Sequence, residues 1–274
     1  MSTRKMQTKI RKSILFALIV IMVILASGTG FMAMGTGSIY AASSTQPYIR
    51  YVVQWGDSLY KISKVYGSTI NSIKAANNLQ SDLILAGQTL KVPMTANKPL
   101  KDIISAKGLS AGQLQLRLVV DKSDKLLTVY NGNTPLKAYH VELGDGGTGD
   151  KQIAGDHKTP EGSFYITQRL VLDPADEYLG SRWMRLSYPN IEDAKRGLET
   201  GLINKATYNA IVSAINKGQT PPQDTALGGG IGIHGGSTSS FGTNWTWGCV
   251  GLTNKDVQDF YNYMYVGTKV VIQK

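Results

Sequence analysis

Two short stretches carry residue types that can do covalent chemistry together: Ile231-Gly232-Ile233-His234-Gly235-Gly236 and Thr246-Trp247-Gly248-Cys249-Val250-Gly251-Leu252. Cys249 is the only cysteine in the 274 residues, so it has no partner for an internal disulfide. A thiol nucleophile needs a base to take its proton, a group that orients the base, and N–H donors for the oxyanion that forms on the attacked carbonyl. His234 supplies the base, the carbonyl of Gly235 its orientation, and the N–H groups of Gly248 and Cys249 the oxyanion donors. Gly248 also lets the backbone approach a ligand closely. An imidazolium beside the thiol is expected to lower its pKa by stabilising the thiolate. Singly, a lone cysteine reads as a small buried hydrophobe and a lone strand histidine as a core residue; the pair points to chemistry. His157 is the competing base, in a segment that reads as a turn. His140, His157 and His234 form no close ligand pair, so the sequence implies no metal and no cofactor.

The elements that must position this pair are mostly strands. Isoleucines alternate before His234 and deliver it to a strand end. Leu116 to Asp121, Leu126 to Tyr130, Leu136 to Leu143, Ser163 to Thr167 and Lys269 to Ile272 are strand-like, and turn residues bound them. This predicts a mainly β domain over 116–274. Glu192 to Lys217 is the exception: Ile203, Tyr208, Ile211, Val212 and Ile215 recur at helical spacing. Gly218 to Gly230 reads as a turn-rich connection. Asn254 is placed to cap a helix after the cysteine turn.

Ahead of that domain, 48–93 reads as a βααβ unit. Tyr51-Val52-Val53 is a strand, Gly56-Asp57-Ser58 a capping turn, Leu59 to Tyr66 and Ile70 to Asn77 are helices, and Leu90 to Pro93 closes the unit. Residues 94–115 read as a linker or short docking segment, so the two domains are expected to fold separately. At the start, Arg4, Lys5, Lys9, Arg11 and Lys12 precede the apolar run Ile14 to Ala26, and small residues follow to Ala42. That order makes 1–42 an export signal or membrane anchor and places the remainder outside the cytoplasm. The net charge is +10, and much of it lies in this leading segment. The modest excess elsewhere suits an anionic surface such as a bacterial wall. No basic stripe interleaved with aromatics argues for nucleic acid, and membrane contact is expected only through the N-terminal segment.

Tyr51-Val52-Val53-Gln54-Trp55-Gly56-Asp57-Ser58-Leu59, Asn77-Asn78-Leu79 and Gly87-Gln88-Thr89-Leu90-Lys91-Val92-Pro93 together resemble a LysM module, with Trp55 where a proline is commoner. The resemblance implies binding of N-acetylglucosamine-containing glycans, with Gly56, Asp57, Ser58, Leu59 and Asn77 as the candidate contacts. The same residues also read as turn formers.

Leu116 to Lys274 resembles the L,D-transpeptidase (YkuD-type) catalytic domain. His234-Gly235, a spacer, then Thr246, Gly248, Cys249 and Val250 match its signature, with support from Gly144, Lys151, Gly155-Asp156-His157-Lys158-Thr159-Pro160-Glu161-Gly162 and Leu186-Ser187-Tyr188-Pro189-Asn190. Two positions depart: Trp247 stands where the family has a second histidine, and Gly251 where it has Arg or Asn. The resemblance implies a β-sandwich with peripheral helices, catalytic Cys249, His234, Gly235 and Gly248, and substrate contacts at Thr246, Trp247, Gly251 and Tyr188. Gly251 is expected to leave a looser subsite. The implied activity is attack on the L,D bond of a peptidoglycan tetrapeptide stem, release of D-alanine, and transfer of the acyl group to a neighbouring stem. Hydrolysis of the same bond by an L,D-carboxypeptidase or amidase, an inert wall-binding protein, and a papain-like peptidase stand as alternatives.

Overall fold

The computed structural model describes residues 46–94, 98–238 and 240–274. The export or anchor segment, 1–42, lies outside the described residues, among which no helix is long and apolar enough to cross a membrane.

Strands β1 (Tyr48–Val52) and β2 (Thr89–Pro93) pair antiparallel, with Tyr51 opposite Leu90 and Ile49 opposite Val92, so one apolar face is buried. Between them lie helices α1 (Leu59–Tyr66) and α2 (Ile70–Asn77). The Ser58 hydroxyl accepts the Lys61 N–H and the Thr69 hydroxyl the Ser72 N–H, which satisfies one orphan donor at each helix start. Gly67 and Asn78, both left-handed, stop the two helices.

The segment that follows is not a free linker. It forms helix α3 (Leu100–Ala106), whose apolar residues at i, i+3 and i+4 (Leu100, Ile103 and Ile104) are buried. Burial of each such side chain contributes about 1.5–3 kcal/mol, enough to hold the segment down. Pro99 has no polar side-chain atom to cap α3, and Asp259 of the larger domain does so instead, accepting the Leu100 N–H at 3.1 and 3.2 Å. Asp259 also takes Lys137 Nζ at 2.7 Å and the Tyr139 hydroxyl at 2.8 Å. The small module reaches the same domain through the Tyr66 hydroxyl on the Pro135 carbonyl, and through Tyr48 and Arg50 on Asp124. One hydrophobic core runs from Ile49 to Ile272 through all of these elements. Residues 46–274, as far as they are described, form a single packed body, and the separate folding expected above is corrected.

The larger domain is one eight-stranded sheet with helices outside it. Its strands are β3 (Leu116–Asp121), β4 (Leu126–Asn131), β5 (Thr134–His140), β6 (Gly162–Asp176), β7 (Gly180–Leu186), β8 (Gly232–His234), β9 (Val250–Gly251) and β10 (Lys269–Gln273), in the spatial order β5-β4-β3-β10-β6-β7-β8-β9. Bridges from Glu142 to Gly251 and from Gly144 to Thr246 join the chain just past β5 to the β9 end, so the two ends of the sheet meet. The predicted helical insertion is two helices, α4 (Ile191–Glu199) and α5 (Lys205–Asn216), with left-handed Gly201 between them. They bury a small cluster of their own: Ala194, Ile203, Ile211 and Leu227. Helix α6 (Asn254–Tyr261) follows β9 and is capped by Thr253 rather than by Asn254.

Candidate active site

Strands β8 and β9 run parallel, with Ile233 opposite Val250 and His234 opposite Gly251. The nucleophile candidate therefore arrives one residue before β9, beside the strand that ends in His234. Its turn is tightly specified. Gly248 has φ +117°, and a Cβ there would meet the Lys158 carbonyl oxygen at 2.8 Å, so only glycine fits. The Thr246 hydroxyl donates to the Cys249 carbonyl at 2.7 Å and accepts the Gly248 N–H at 3.3 Å. Of the two expected oxyanion donors, Gly248 N–H makes a long contact to Thr246 Oγ1, while no acceptor among the described residues meets the N–H of Cys249.

His234 is fully buried, and its Nδ1 lies 2.7 Å from the Gly235 carbonyl. A carbonyl only accepts, so Nδ1 carries the proton and Nε2 is left with a lone pair. Nε2 is buried and has no partner within the protein. That tautomer is the one a base requires, and Gly235 sets it as the sequence suggested. The turn beyond the base is fixed by Asn254, whose side-chain oxygen accepts from Ser181 N–H at 2.8 Å and Gly236 N–H at 3.1 Å. Aromatic rings box the imidazole: Tyr178, Trp183 and Trp245 have centroids 5.6, 5.9 and 5.5 Å away.

This box decides the electrostatics. Burial pushes His234 down to about 4, against the opposing hydrogen bond to Gly235. Burial pushes the Cys249 thiol up to about 11, opposed in part by the Gly232 N–H and by the charges of Arg185 and Lys151. Both directions run against the lowered thiol pKa expected from the motif and favour a neutral thiol beside a neutral imidazole. The thiol lies 3.5 Å from the Gly230 carbonyl, at the end of the connection that read only as turn-rich.

The other sequence candidates separate by exposure. Trp247 is 64% exposed and stands upright between Tyr178 and His157, the latter stacked at 5.8 Å and 24°. Thr246 is fully buried and braces the cysteine turn, so it does not face substrate. Tyr188 is fully buried, its hydroxyl held by the Leu227 carbonyl at 2.8 Å, and it belongs to the core rather than to a substrate contact. Gly251 is buried within β9, and a Cβ there would meet Trp245 Cζ2 and Thr246 Cγ2 at 3.1 Å. The looser subsite expected at Gly251 is absent, because the Trp245 indole fills that space. His157 sits at the rim with Nδ1 2.8 Å from Asp145, away from the position opposite Gly251 that His234 holds.

In the small module, most expected glycan contacts have local duties. The Asp57 carboxylate accepts from the Tyr51 hydroxyl and the Gln54 N–H, both at 2.7 Å, and Ser58 caps α1. Leu59 is buried, and the Asn77 side chain ties α2 to Lys91 of β2. Gly56 lies open at φ +84°. The loops after β1 and between α2 and β2 instead expose Trp55 (95%), Leu83 (75%) and Leu85 (66%), none of them among the expected contacts.

Residues 115–272, more than half of the chain, match the family model of the L,D-transpeptidase catalytic domain, YkuD, and residues 51–93 match the LysM domain. Among curated proteins the chain is similar to "Probable peptidoglycan endopeptidase LytE" of Bacillus subtilis, 60% identical over 42 residues, which are 15% of this chain and 13% of that protein. It is also similar to "Probable endopeptidase p60" of Listeria grayi, 30% identical over 120 residues, 44% of this chain and 21% of that protein. The chain thus spans only a small part of the curated relatives it matches. Among solved structures, the helical cell shape determining protein Pgp2 of Campylobacter jejuni is 24% identical with a TM-score of 0.41, covering 58% of this chain and 47% of that one. Enterococcus faecium L,D-transpeptidase, as a C442S mutant, is 14% identical with a TM-score of 0.34, covering 58% and 49%.

Proposed function

The chain belongs to the YkuD family of L,D-transpeptidase catalytic domains, and from that premise we propose that it is a peptidoglycan L,D-transpeptidase acting outside the cytoplasm on the bacterial wall. The observation that carries the reading is the His234 tautomer, with Nδ1–H spent on Gly235 and a buried lone pair at Nε2, on the strand beside the chain's single thiol. Cys249 Sγ attacks the carbonyl of the third stem residue while its proton passes to His234 Nε2. The oxyanion is received by the free Cys249 N–H. The C–N bond to D-alanine then breaks, the imidazolium returns the proton to the leaving amine, and a thioester remains. The side-chain amine of a neighbouring stem attacks the thioester, His234 takes its proton, and the C–S bond breaks to give the cross-link and the free thiol. No cofactor enters these steps.

The LysM domain supports binding to wall glycan, and Trp55, Leu83 and Leu85 offer the apolar surface on which sugar rings pack. The second outcome is water as the acceptor of the thioester. Purified disaccharide tetrapeptide separates the readings by mass spectrometry. A cross-linked dimer with D-alanine marks transfer, and D-alanine without dimer marks hydrolysis. Cys249→Ala should give neither, and a wild-type protein that releases no D-alanine would reject both.

A further inference from the structure

Arg185 is a charged side chain near the thiol that the chemistry above does not use. It lies on β7 opposite Gly232 of β8, in the register that sets Trp183 opposite His234. Directly paired residues point to the same side of a sheet, so Arg185 and Trp183 share the face that carries His234. The guanidinium lies over the Trp183 ring at 5.5 Å, and that ring covers Gly232, where a Cβ would meet it at 2.5 Å.

Two neutral amides hold the guanidinium in place. Its Nε donates to Gln168 Oε1 at 3.1 Å and its Nη1 to Gln223 Oε1 at 2.9 Å. The same Gln223 oxygen accepts the Gly230 N–H at 2.8 Å, and the Gly230 carbonyl is the group that touches Cys249 Sγ. The cation is thus linked to the nucleophile's own neighbour by one shared acceptor. Among the described residues no carboxylate pairs with Arg185, and Nη2 donates to nothing. A half-buried cation, oriented by neutral partners and left uncompensated beside a thiol, is built to receive an anion.

Resting on the stem-peptide reading, we infer that Arg185 is the carboxylate receptor of this site and takes the terminal carboxylate of the donor stem. In a tetrapeptide that carboxylate belongs to the leaving D-alanine, two bonds from the scissile nitrogen. A receptor beside the thiol therefore selects donors that end one residue past the scissile bond.

Two measurements on the full chain test this. The first compares alkylation of Cys249 by iodoacetate and by iodoacetamide, in wild type, Arg185→Gln and Arg185→Lys. The iodoacetate-to-iodoacetamide rate ratio should fall about tenfold or more in Arg185→Gln, the scale of one charge-assisted pair, and recover in part in Arg185→Lys. An unchanged ratio in an Arg185→Gln protein that melts like wild type overturns the inference. The second needs no variant: tetrapeptide donors with a free C-terminal carboxylate or a carboxamide are compared with wild-type enzyme. A lower KM for the acid by about tenfold or more supports the receptor, and equal use of both overturns it. If wild type consumes neither donor, the proposed function fails, while the alkylation ratio still decides whether the anion site exists.

Discussion

The neutral resting pair can be read directly, because Cys249 is the only cysteine and every alkylation event reports on it. The perturbation is a pH titration from 5 to 11 with iodoacetamide, and the assay is intact-mass spectrometry of the modified protein against time. Thiolate is the reactive form. With the thiol at about 11 instead of its ordinary 9.0, the thiolate fraction at pH 7 falls from roughly one in a hundred to roughly one in ten thousand. Alkylation at neutral pH should therefore be about a hundredfold slower than for a free cysteine from ionisation alone. Its logarithm should rise with unit slope and bend only near pH 11. Slow access to a buried sulfur would lower the whole curve without moving the bend, so slope and bend are the diagnostic quantities. A thiolate–imidazolium pair would give a plateau between two lower pKa values. A rate that levels off between pH 5 and 8 would refute the neutral pair and restore the activated thiol expected from the motif.

Four further outcomes follow from the same geometry. His234, held at about 4 when folded and near 6.5 when unfolded, makes the folded state lose stability as pH falls below 6.5, with the loss complete below about 4. Between pH 8 and 5 this amounts to about 2 kcal/mol, and urea unfolding of wild type against His234→Gln should show that difference narrowing by this amount. Asp259→Ala strands Lys137, whose side chain is only 4% exposed, and should cost about 3 kcal/mol in the same assay. Removing 48–93 should likewise lower the melting temperature of the catalytic domain, and an unchanged melt would show that the shared core is dispensable. Gly251→Ala crowds Trp245 and Thr246 and should destabilise by about 1–3 kcal/mol, again by urea unfolding, whereas a stable Gly251→Ala would mean that Trp245 moves aside freely.

Residue identity and spacing made the candidate base and nucleophile, the Gly235 carbonyl on His234 and both domains legible, because each is encoded in a run of neighbouring residues. Arg185 was not legible. It lies far from both His234 and Cys249 in sequence, and only the β7–β8 register brings it to their face. The Gly230 carbonyl was hidden for another reason: a backbone group leaves no mark in a residue pattern, and its segment reads only as a turn. Tyr188 was misplaced because a tyrosine in a recognisable motif looks the same whether it faces a cleft or, as here, the core. The docking of 94–115 did have a signal, in the i, i+3, i+4 stripe of Leu100, Ile103 and Ile104, yet its anchor, Asp259, lies at the other end of the chain. Trp55 shows the reverse case, a residue passed over because its neighbours explained the turn, although its 95% exposure is what a sugar would meet.

The direction of the two pKa shifts and the position of Arg185 bear on one another. Arg185 and Lys151 are the charges that hold the thiol below what burial alone would give, and Lys151 is already paired with Asp156 at 2.7 Å. A donor carboxylate on Arg185 cancels part of the remaining positive field, so an anionic donor leaves the thiol harder to ionise than it is at rest. A mechanism that relied on preformed thiolate would then be weakened by its own substrate. Proton transfer to His234 during attack avoids the difficulty, since no separated charge has to exist beforehand, and the tautomer set by Gly235 already leaves the lone pair on Nε2. Burial of the pair and an unpaired cation beside it are therefore compatible features of one site. The first keeps the thiol protonated until a donor arrives, and the second decides which donor that is.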